Sequence, residues 1–322
     1  MKEMSLISVI IPAYNAESWI GEACQSVLEQ TYENWELIIV DDGSCDRTYE
    51  IVCELAERYP SVRPIHTENG GVSRARNLGL AEAKGEYITL LDADDRLTPQ
   101  ALEAMYASLQ EHHADIAIGW AVNMTQEGEL TECPYKKEKK LLMGEESLEY
   151  SLRDHPSMYA AWGKLYKRSF LSDIHFIEGR RIHEDTYFVF QCCLRQPRVI
   201  LLEDIVLQYR STTSSASRAA FSDKFFDILY FAEQKKAAID QLYPHYADLS
   251  ENMLIKANMA MLRNLCKTRD RKYRKIEKKC IKEIIKRKDK FISAIEGDQQ
   301  FFRIITRHMY GIYKTIYILI KK

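Results

Sequence analysis

The 322-residue sequence lacks several features by which whole classes of protein are recognised. No apolar run approaches the roughly twenty residues that a membrane-spanning helix requires. The eight cysteines include no CxxC pair and are too sparse for a secreted disulfide scaffold, which favours reduced, structural thiols in a cytosolic protein. The first predicted strand begins by residue 7, so we expect no signal peptide. These absences favour a soluble protein or one bound peripherally to a membrane.

The sequence also lacks a dinucleotide-binding fingerprint. After the first predicted strand, where a Rossmann fold would place GxGxxG, it reads Pro12-Ala13-Tyr14-Asn15, which disfavours an NAD enzyme. Pro12 makes the turn rigid, Tyr14 offers an aromatic face for stacking a base, and Asn15 offers an amide for hydrogen bonding. The turn therefore favours another kind of nucleotide site.

Two apolar strands of the predicted fold end abruptly in carboxylates. Carboxylates that leave buried strands together repel one another, so we expect a cation beside them. Strands and helices alternate through this part of the chain, which indicates a parallel sheet covered on both faces, and ligands of such sheets bind beyond the carboxyl ends of the strands. The acids are Asp41 and Asp42 after the strand at 36–40, and Asp92, Asp94 and Asp95 after the strand at 87–91.

The pattern divides the chain near residue 220. Residues 1–220 carry the alternating elements, interrupted by a polar stretch at 126–140 that predicts a loop or an exposed hairpin. Ordered elements are predicted again at 158–171 and 182–195. From residue 221 to residue 322 the pattern is helical.

Four blocks in the first third of the chain together resemble glycosyltransferase family 2, whose members are inverting enzymes with the GT-A fold. The resemblance implies an α/β fold with a mostly parallel central sheet flanked by helices, followed by a helical C-terminal extension. It also implies a nucleotide-binding half at about 1–122 and an acceptor half at about 123–220. The four blocks are residues 8–15, 40–44, 69–79 and 91–95.

The resemblance implies a uridine donor. Asp42 matches the carboxylate that accepts a hydrogen bond from uracil, Tyr14 the residue that packs on the base, and Pro12 a residue lining the pocket. The nucleotide-sugar-binding residues implied in this way are Pro12, Ala13, Tyr14, Asn15, Asp42, Arg76, Asp92, Ala93 and Arg218.

Asp92 and Asp94 match the family's DxD element. Their side chains lie one residue apart on an extended strand end and point the same way, so they are predicted to hold one divalent cation, directly or through water. Mn²⁺ or Mg²⁺ suits such oxygen ligands and would bridge the donor diphosphate. Helix capping is the alternative for Asp94, and Asp95 is predicted either to cap the helix at 99–112 or to contact the acceptor.

Two arginines follow the Gly70-Gly71 turn. Arg76 is favoured over Arg74 to pair with the donor diphosphate or with Asp42, and the other arginine is expected to face solvent. Downstream, the stretch at 211–218 predicts either a loop that closes over the nucleotide, with Arg218 reaching the diphosphate, or an exposed linker.

The acceptor side is expected around His183-Glu184-Asp185. An inverting transfer needs a base on the side of the anomeric carbon away from the metal, and Asp185 resembles that base, although it also suits a helix N-cap. Glu184 is predicted to orient the acceptor or the base, and His183 to be a local hydrogen-bond partner. Trp162 either stacks on an acceptor sugar or belongs to the core. The family often has Asn where this chain has Gly163.

The tail is strongly basic. Between residues 263 and 290 fourteen basic residues stand against four acidic ones, a net charge of about +10 in a chain whose formal net charge is only -2. Two apolar stripes at helical spacing run between the cations, so the helices are predicted either to bind an anionic lipid surface or to dock on the catalytic domain. The stripes are Ile276, Cys280, Ile281, Ile284, Ile285, Phe291, Ile292 and Ile295, and then Phe302, Ile305, Met309, Ile312, Tyr313, Ile316 and Ile320.

The resemblance and the residues together predict a metal-dependent inverting glycosyltransferase of bacterial cell-surface polysaccharide synthesis. It would pass a hexosyl or N-acetylhexosaminyl group from a UDP-sugar to a saccharide hydroxyl, and the acceptor would be free or lipid-linked. The expected location is the cytoplasm, either in solution or peripherally on the inner face of the cytoplasmic membrane. Nucleic acid is not an expected partner. The alternatives are transfer to polyprenyl phosphate, which needs no base, and a nucleotide-sugar-binding scaffold without catalysis.

Overall fold

The structure is a computed structural model that describes residues 4–131, 133, 136–211, 221–268 and 270–320. The chain divides into two compact units, Met1–Ser215 and Ala216–Lys322, here named the N-terminal unit and the C-terminal unit. The predicted boundary at residue 220 falls in the stretch 212–220, outside the described residues.

The N-terminal unit is an α/β structure, as predicted. Its described residues form a nine-stranded sheet and six α-helices. The strands are β1 (Ile7–Ala13), β2 (Trp35–Asp41), β3 (Val62–His66), β4 (Tyr87–Leu90), β5 (Arg96–Leu97), β6 (Ile116–Met124), β7 (Lys140–Leu142), β8 (Lys164–Lys167) and β9 (Val199–Arg210). The helices are α1 (Ile20–Leu28), α2 (Thr48–Arg58), α3 (Val72–Glu82), α4 (Ala101–Glu111), α5 (Glu146–Leu152) and α6 (Glu184–Cys193).

The sheet has a parallel half and a mixed half. Its strands follow the order β3-β2-β1-β4-β8-β6-β9-β5, with β7 paired on β9. The first four are parallel, β8 runs antiparallel to both of its neighbours, and β6 and β9 are again parallel. Because β2, β1 and β4 are parallel neighbours, the segments that follow them emerge at one edge of the sheet.

The central strand β1 is completely buried and packs closely against helix α3. All seven of its residues are buried, as expected for a strand covered by helices on both faces. Helix α3 lies so close to it that a Cβ added at Gly79 would stand 2.3 Å from the Ile10 side chain. Glycine at this position therefore lets α3 pack closely on the sheet.

Two details differ from the sequence prediction. The longest strand, β9, was not predicted, because its pairing with β6 joins segments far apart in sequence and its middle is exposed at Glu203 and Asp204. Helix α4 has Gln100 as its N-cap. Asp94 and Asp95 therefore do not cap it, and this alternative for both residues is wrong.

The C-terminal unit is helical in its described residues. It contains α7 (Asp227–Leu242), α8 (Ala247–Leu265), α9 (Arg274–Lys286), α10 (Glu296–Thr306) and α11 (Tyr310–Ile320). Cys280 and Ile284 of α9 and Phe301 and Ile305 of α10 are buried in a core that they share with α8. Cys280 and Ile284 of the first predicted apolar stripe and Ile305 of the second therefore face the interior of this unit.

Some apolar side chains of the two stripes remain at the surface. Ile292, Ile295, Met309 and Ile312 are exposed, whereas the side chains of Ile316 and Ile320 lie outside the described residues. Within the part of the chain that the structure describes, no helix combines the length and the apolar character needed to cross a bilayer.

Candidate active site

The turn after β1 is fastened to the turn after β2. Pro12 and Ala13 are buried at the end of β1, whereas the Tyr14 side chain is 52% exposed. Asn15 has a left-handed backbone (φ 49°), and its Oδ1 accepts a hydrogen bond from the Cys45 N–H at 2.9 Å. The exposed ring of Tyr14 therefore stands on a fixed base, which suits a stacking role.

Asp42 follows β2 and is almost completely buried. Its Oδ1 accepts a hydrogen bond from the Gly70 N–H and its Oδ2 one from the Gly71 N–H, each at 2.8 Å. Gly71 is the N-cap of α3, so the carboxylate fixes the start of that helix. Binding of Asp42 to uracil stays a prediction, and this second role of its carboxylate was not predicted.

The DxD element follows β4, next to the end of β1. Asp92 is partly exposed, Ala93 is buried, and Asp94 is partly buried. Burial and the negative charge of Asp92 raise the pKa of Asp94 to about 6. The turn thus concentrates negative charge in a place that water screens poorly.

Asp95 completes this acidic turn but lies inside the protein. Only 1% of it is exposed, its Oδ1 accepts a hydrogen bond from the Arg210 N–H at 2.8 Å, and its Oδ2 has no partner among the described residues. Burial, with the charges of Asp92 and Asp94, raises its pKa well above the usual value. The predicted contact of Asp95 with an acceptor has no exposed carboxylate to support it.

Arg76 joins the two predicted halves of the site. It lies on α3, it is 5% exposed, and its guanidinium stands 5.2 Å from the centre of the Phe176 ring. Nη2 donates to Asp92 Oδ1 at 2.9 Å and Nη1 donates to Glu184 Oε1 at 3.0 Å. These two carboxylates raise the pKa of Arg76 despite its burial. Arg76 thus pairs with these acids rather than with Asp42, whereas Arg74 is exposed.

The acidic turn fits a divalent cation. Asp92 and Asp94 offer carboxylate oxygens, the ligand type that Mg²⁺ and Mn²⁺ prefer, and the raised pKa of Asp94 reflects negative charge that a cation would offset. Among the described residues no cluster of three or more His, Cys, Asp or Glu side chains is arranged to hold a metal. The two aspartates would therefore share the ion with other oxygen ligands, such as a diphosphate and water.

The predicted acceptor-side acids lie at the start of α6. His183 is the N-cap residue, with a left-handed backbone (φ 67°), and Glu184 and Asp185 form the first turn of the helix. Glu184 is buried against Arg76, and burial together with the charge of Asp185 raises its pKa. Asp185 is partly exposed, and its Oδ1 accepts a hydrogen bond from the Thr186 N–H at 2.6 Å. A side chain held at a helix start and open to solvent suits a base.

Trp162 lies two residues before β8. It is partly buried, packs against the main core, and stacks on Tyr209 with ring centres 5.5 Å apart. The core alternative is therefore what its described contacts support. Contact with an acceptor sugar stays a prediction, and Arg218 lies outside the described residues.

Two buried cations near the site were not predicted. Lys164 on β8 is 3% exposed and donates a hydrogen bond to the Ala160 carbonyl oxygen at 2.5 Å. Burial lowers the pKa of Lys164 to about 8, although the negative charge of Asp185 opposes this shift. Arg210 ends β9 and contacts the acidic turn. The local sequence signal for Arg210 was its position as a basic residue at the end of an apolar segment. This signal did not identify its partners, which are distant in sequence.

The residues predicted for the donor and the base thus fall into two groups. Tyr14, Asp42 and the acidic turn follow three adjacent parallel strands at one edge of the sheet. Glu184 and Asp185 come from α6, and Arg76 connects them to Asp92. Trp162 contacts the core, and the Asp95 carboxylate is enclosed within the acidic turn.

Comparisons with known proteins agree with this arrangement. The sequence model described as Glycosyl transferase family 2 matches residues 8–174. The chain is 32% identical over 225 residues to the glycosyltransferase GlyG of Streptococcus pneumoniae serotype 4, an alignment that covers 67% of this chain and 74% of GlyG. It is 28% identical over 235 residues to the Staphylococcus aureus poly(ribitol-phosphate) beta-N-acetylglucosaminyltransferase TarS, covering 70% of this chain and 39% of TarS.

Solved structures show the same fold. The crystal structure of residues 1–349 of S. aureus TarS in complex with UDP-GlcNAc matches with a TM-score of 0.71 at 18% identity, covering 99% of this chain and 92% of that one. A mannosyltransferase from Pyrobaculum calidifontis, in complex with GDP-Man and Mn²⁺, matches with a TM-score of 0.55 at 16% identity, covering 99% of this chain and 87% of the other. The expected GT-A fold is thereby confirmed, and the chain belongs to glycosyl transferase family 2.

Proposed function

We propose that this protein transfers a sugar from a UDP-sugar to a saccharide hydroxyl with inversion at the anomeric carbon. The observation that carries the proposal is the Arg76 bridge. One buried guanidinium binds Asp92 of the proposed donor site and Glu184 beside the proposed base, two residues brought together from distant parts of the chain. Such a bridge suits a site in which donor and acceptor must meet at a fixed separation.

In the donor half, Tyr14 would stack on the uracil ring, Pro12 and Ala13 would line the pocket, and Asn15 and Asp42 would supply hydrogen-bond acceptors. The proposal of a uridine donor is supported by the TarS structure, which contains UDP-GlcNAc. By the same likeness we propose a hexosyl or N-acetylhexosaminyl group as the one transferred.

Asp92 and Asp94 would hold Mn²⁺ or Mg²⁺, with Ala93 in contact with the donor. The ion would supply positive charge to the diphosphate as UDP leaves. Mn²⁺ in the P. calidifontis mannosyltransferase supports this proposal. Arg76 would orient Asp92 and lend its charge to the same region, and Arg218, from outside the described residues, would contact the diphosphate.

In the acceptor half, Asp185 would take the proton of the attacking hydroxyl. The hydroxyl oxygen then bonds to the anomeric carbon as the bond from that carbon to the UDP oxygen breaks on the opposite face. Glu184, held by Arg76, would orient Asp185 or the acceptor. Trp162, which is partly exposed, would stack on the acceptor sugar, whereas Asp95 would serve the acceptor only if its enclosed carboxylate became accessible.

The acceptor class that we propose is a cell-surface polymer or its lipid-linked precursor. TarS is named for its action on poly(ribitol phosphate), which supports an acceptor of this kind. Transfer to a polyprenyl phosphate needs no base, so the alternative predicts that a variant of Asp185 keeps its activity. A scaffold without catalysis predicts UDP-sugar binding with no release of UDP when acceptors are added.

Replacement of the base tests the proposal. Asp185→Asn should keep Mn²⁺-dependent binding of UDP, measured by calorimetry, and lose transfer by roughly two to four orders of magnitude. Asp173→Asn is the matched control, since Asp173 is exposed and has a left-handed backbone (φ 62°) that asparagine adopts readily. Near-normal turnover of Asp185→Asn would remove the base from the mechanism. A panel of UDP-sugars with and without Mn²⁺, screened by thermal shift, would identify the donor.

We also propose that the C-terminal unit binds the anionic inner surface of the cytoplasmic membrane. Lys275, Lys278, Lys282 and Lys286 share one exposed face of α9, and none forms an ion pair with a described residue. The segment that follows α9 exposes Ile292 and Ile295, 54% and 63% respectively. Cations beside exposed aliphatic side chains suit a lipid surface, each cation contributing on the order of 1 kcal/mol.

Vesicle co-sedimentation tests this surface. Replacing the four lysines together by glutamine should release the protein from vesicles that contain anionic phospholipid, and Ile292→Ser with Ile295→Ser should weaken the remaining attachment. Arg74→Gln, an exposed cation of the N-terminal unit, serves as the control. Unchanged sedimentation of the four-lysine variant would contradict the membrane proposal and leave the transferase proposal untouched.

A further inference from the structure

Arg210 is a charged residue in an unusual place. It is the last residue of β9 and only 2% of it is exposed. A buried guanidinium is costly unless its donors are paired, so its partners reveal what the fold gains from it.

Three segments of the N-terminal unit contact this residue: the acidic turn, the stretch at Gln126 and the start of α1. Its backbone N–H donates to Asp95 Oδ1 at 2.8 Å, and Nε donates to the Asp94 carbonyl oxygen at 2.9 Å. Nη1 donates to the Gln126 carbonyl oxygen at 2.7 Å, and Nη2 donates to Glu22 Oε2 at 2.5 Å. The guanidinium also lies 4.4 Å from the centre of the Trp19 ring.

These hydrogen bonds do not use the carboxylate oxygens of Asp92 or Asp94, which are the proposed metal ligands. Arg210 holds the carbonyl group of Asp94 and the carboxylate of Asp95, and it ties both to α1 through Glu22. The direction of the Asp94 side chain follows from the position of its own backbone. Arg210 can therefore control Asp94 without contact with a donor or a cation.

We propose that Arg210 is a positioning residue that sets the affinity of the acidic turn for its divalent cation. The inference rests on the proposed function, in which Asp92 and Asp94 hold the ion. Groups that orient metal ligands without touching the metal typically change metal affinity by about 10- to 100-fold when they are removed.

The sign of the effect separates positioning from simple electrostatics. Arg210 is a cation beside a cation site, so removing its charge alone would strengthen binding of a metal ion. Removing its side-chain hydrogen bond to the Asp94 carbonyl oxygen would weaken that binding. The two causes therefore predict opposite changes for the same variant.

The experiment measures UDP binding by calorimetry over a series of Mn²⁺ concentrations. Arg210→Met should raise the half-saturating Mn²⁺ concentration about 10- to 100-fold. Arg210→Lys, which keeps the charge and the backbone bond to Asp95 but cannot form all of the side-chain hydrogen bonds of the arginine, should raise it to a lesser extent. This second variant keeps the inference testable if the methionine variant does not fold.

Arg63→Met is the matched control. Arg63 is a partly buried arginine that pairs with the carboxylates of Glu36 and Glu82 and does not contact the acidic turn. It should lower the melting temperature and leave the half-saturating Mn²⁺ concentration unchanged, which distinguishes positioning from a general loss of stability.

Two results would overturn the inference. If the half-saturating Mn²⁺ concentration of both Arg210 variants is lower than in the wild type, or within about twofold of it, the residue is structural only, and the proposed function stands. If the wild-type protein binds UDP equally well without Mn²⁺, the proposed metal site fails and this role of Arg210 fails with it.

Discussion

The two units of this protein differ in where their charged side chains lie: buried and paired in the N-terminal unit, exposed to solvent on α9 of the C-terminal unit. At the sheet edge of the N-terminal unit, Asp42, Arg76, Asp95 and Arg210 are buried and bonded to specific partners. On α9 of the C-terminal unit the lysines stand in solvent while Cys280 and Ile284 fill the core behind them. Burying ionic groups is unfavourable unless their partners are in place, so the enclosed charges identify a site that depends on precise geometry.

The largest change is expected from breaking the enclosed network at Arg76. Arg76→Met leaves Asp92 and Glu184 facing each other without their cation, and should lower the free energy of unfolding by about 3–5 kcal/mol. Denaturant unfolding measures this. Arg63→Met, whose side chain is 29% exposed, should cost only about 1 kcal/mol. An equal decrease in the free energy of unfolding in the two variants would contradict the inference that the Arg76 bridge stabilises the fold more than a partly exposed ion pair does.

The C-terminal unit should be sensitive in its apolar core instead. Ile284→Ala removes a fully buried side chain and should destabilise this unit by about 2–5 kcal/mol. Hydrogen exchange of the amides in residues 221–320 would report it. Ile292→Ala, at an exposed position, is the control and should stay within about 0.5 kcal/mol. Similar exchange in both variants would show that the α9 core does not support the unit.

A change of pH should act mainly on the N-terminal unit. The raised pKa of Asp94, about 6, means that the folded protein holds this proton more tightly than the unfolded chain does. Its contribution to stability is therefore present at low pH and is lost as the pH rises through about 6. Mn²⁺ needs the ionised carboxylate, so metal-dependent UDP binding should strengthen about 10-fold between pH 5 and pH 7.

Chemical denaturation across this pH range provides the control. Asp94→Asn should reduce the pH dependence of stability without abolishing it, since the pKa values of Asp95 and Glu184 are raised in the same direction. If the free energy of unfolding of the variant changes with pH as steeply as that of the wild type, Asp94 does not titrate near pH 6.

The smallest effect is expected on the basic face of α9. Lys278→Gln or Lys282→Gln should change the free energy of unfolding by less than about 0.5 kcal/mol, because both side chains are exposed and neither has an ion-pair partner among the described residues. Thermal melts measure this. A loss of more than 1 kcal/mol would mean that these lysines have a structural role.

The sequence predicted best what depends on local pattern. The alternation of strands and helices up to α4, the acids that follow β2 and β4, and the helical tail are visible in short windows, because burial imposes its period on each element. The helix that was predicted to start at residue 99 starts at Ala101 in the structure, and its N-cap is Gln100, so Asp94 and Asp95 do not cap it.

What the sequence did not show depends on pairing between distant segments. Strand β9 is specified by its neighbours β6, β5 and β7, and no local signal states which strands will meet. The same is true of Arg76, whose partner Glu184 is 108 residues away, and of Arg210, whose partner Glu22 is 188 residues away. Side-chain networks of this kind exist only once the sheet has assembled.

The hydrogen bonds of Asp42 have a consequence for anyone who wishes to change the donor. Its carboxylate fixes the first residues of α3, and the same helix carries Arg76. A substitution of Asp42 that aims to change the proposed base preference would therefore also disturb the start of the helix that carries Arg76. Tyr14 is exposed on a turn that is held by other residues, which makes it the safer position at which to test the proposed contact with the base.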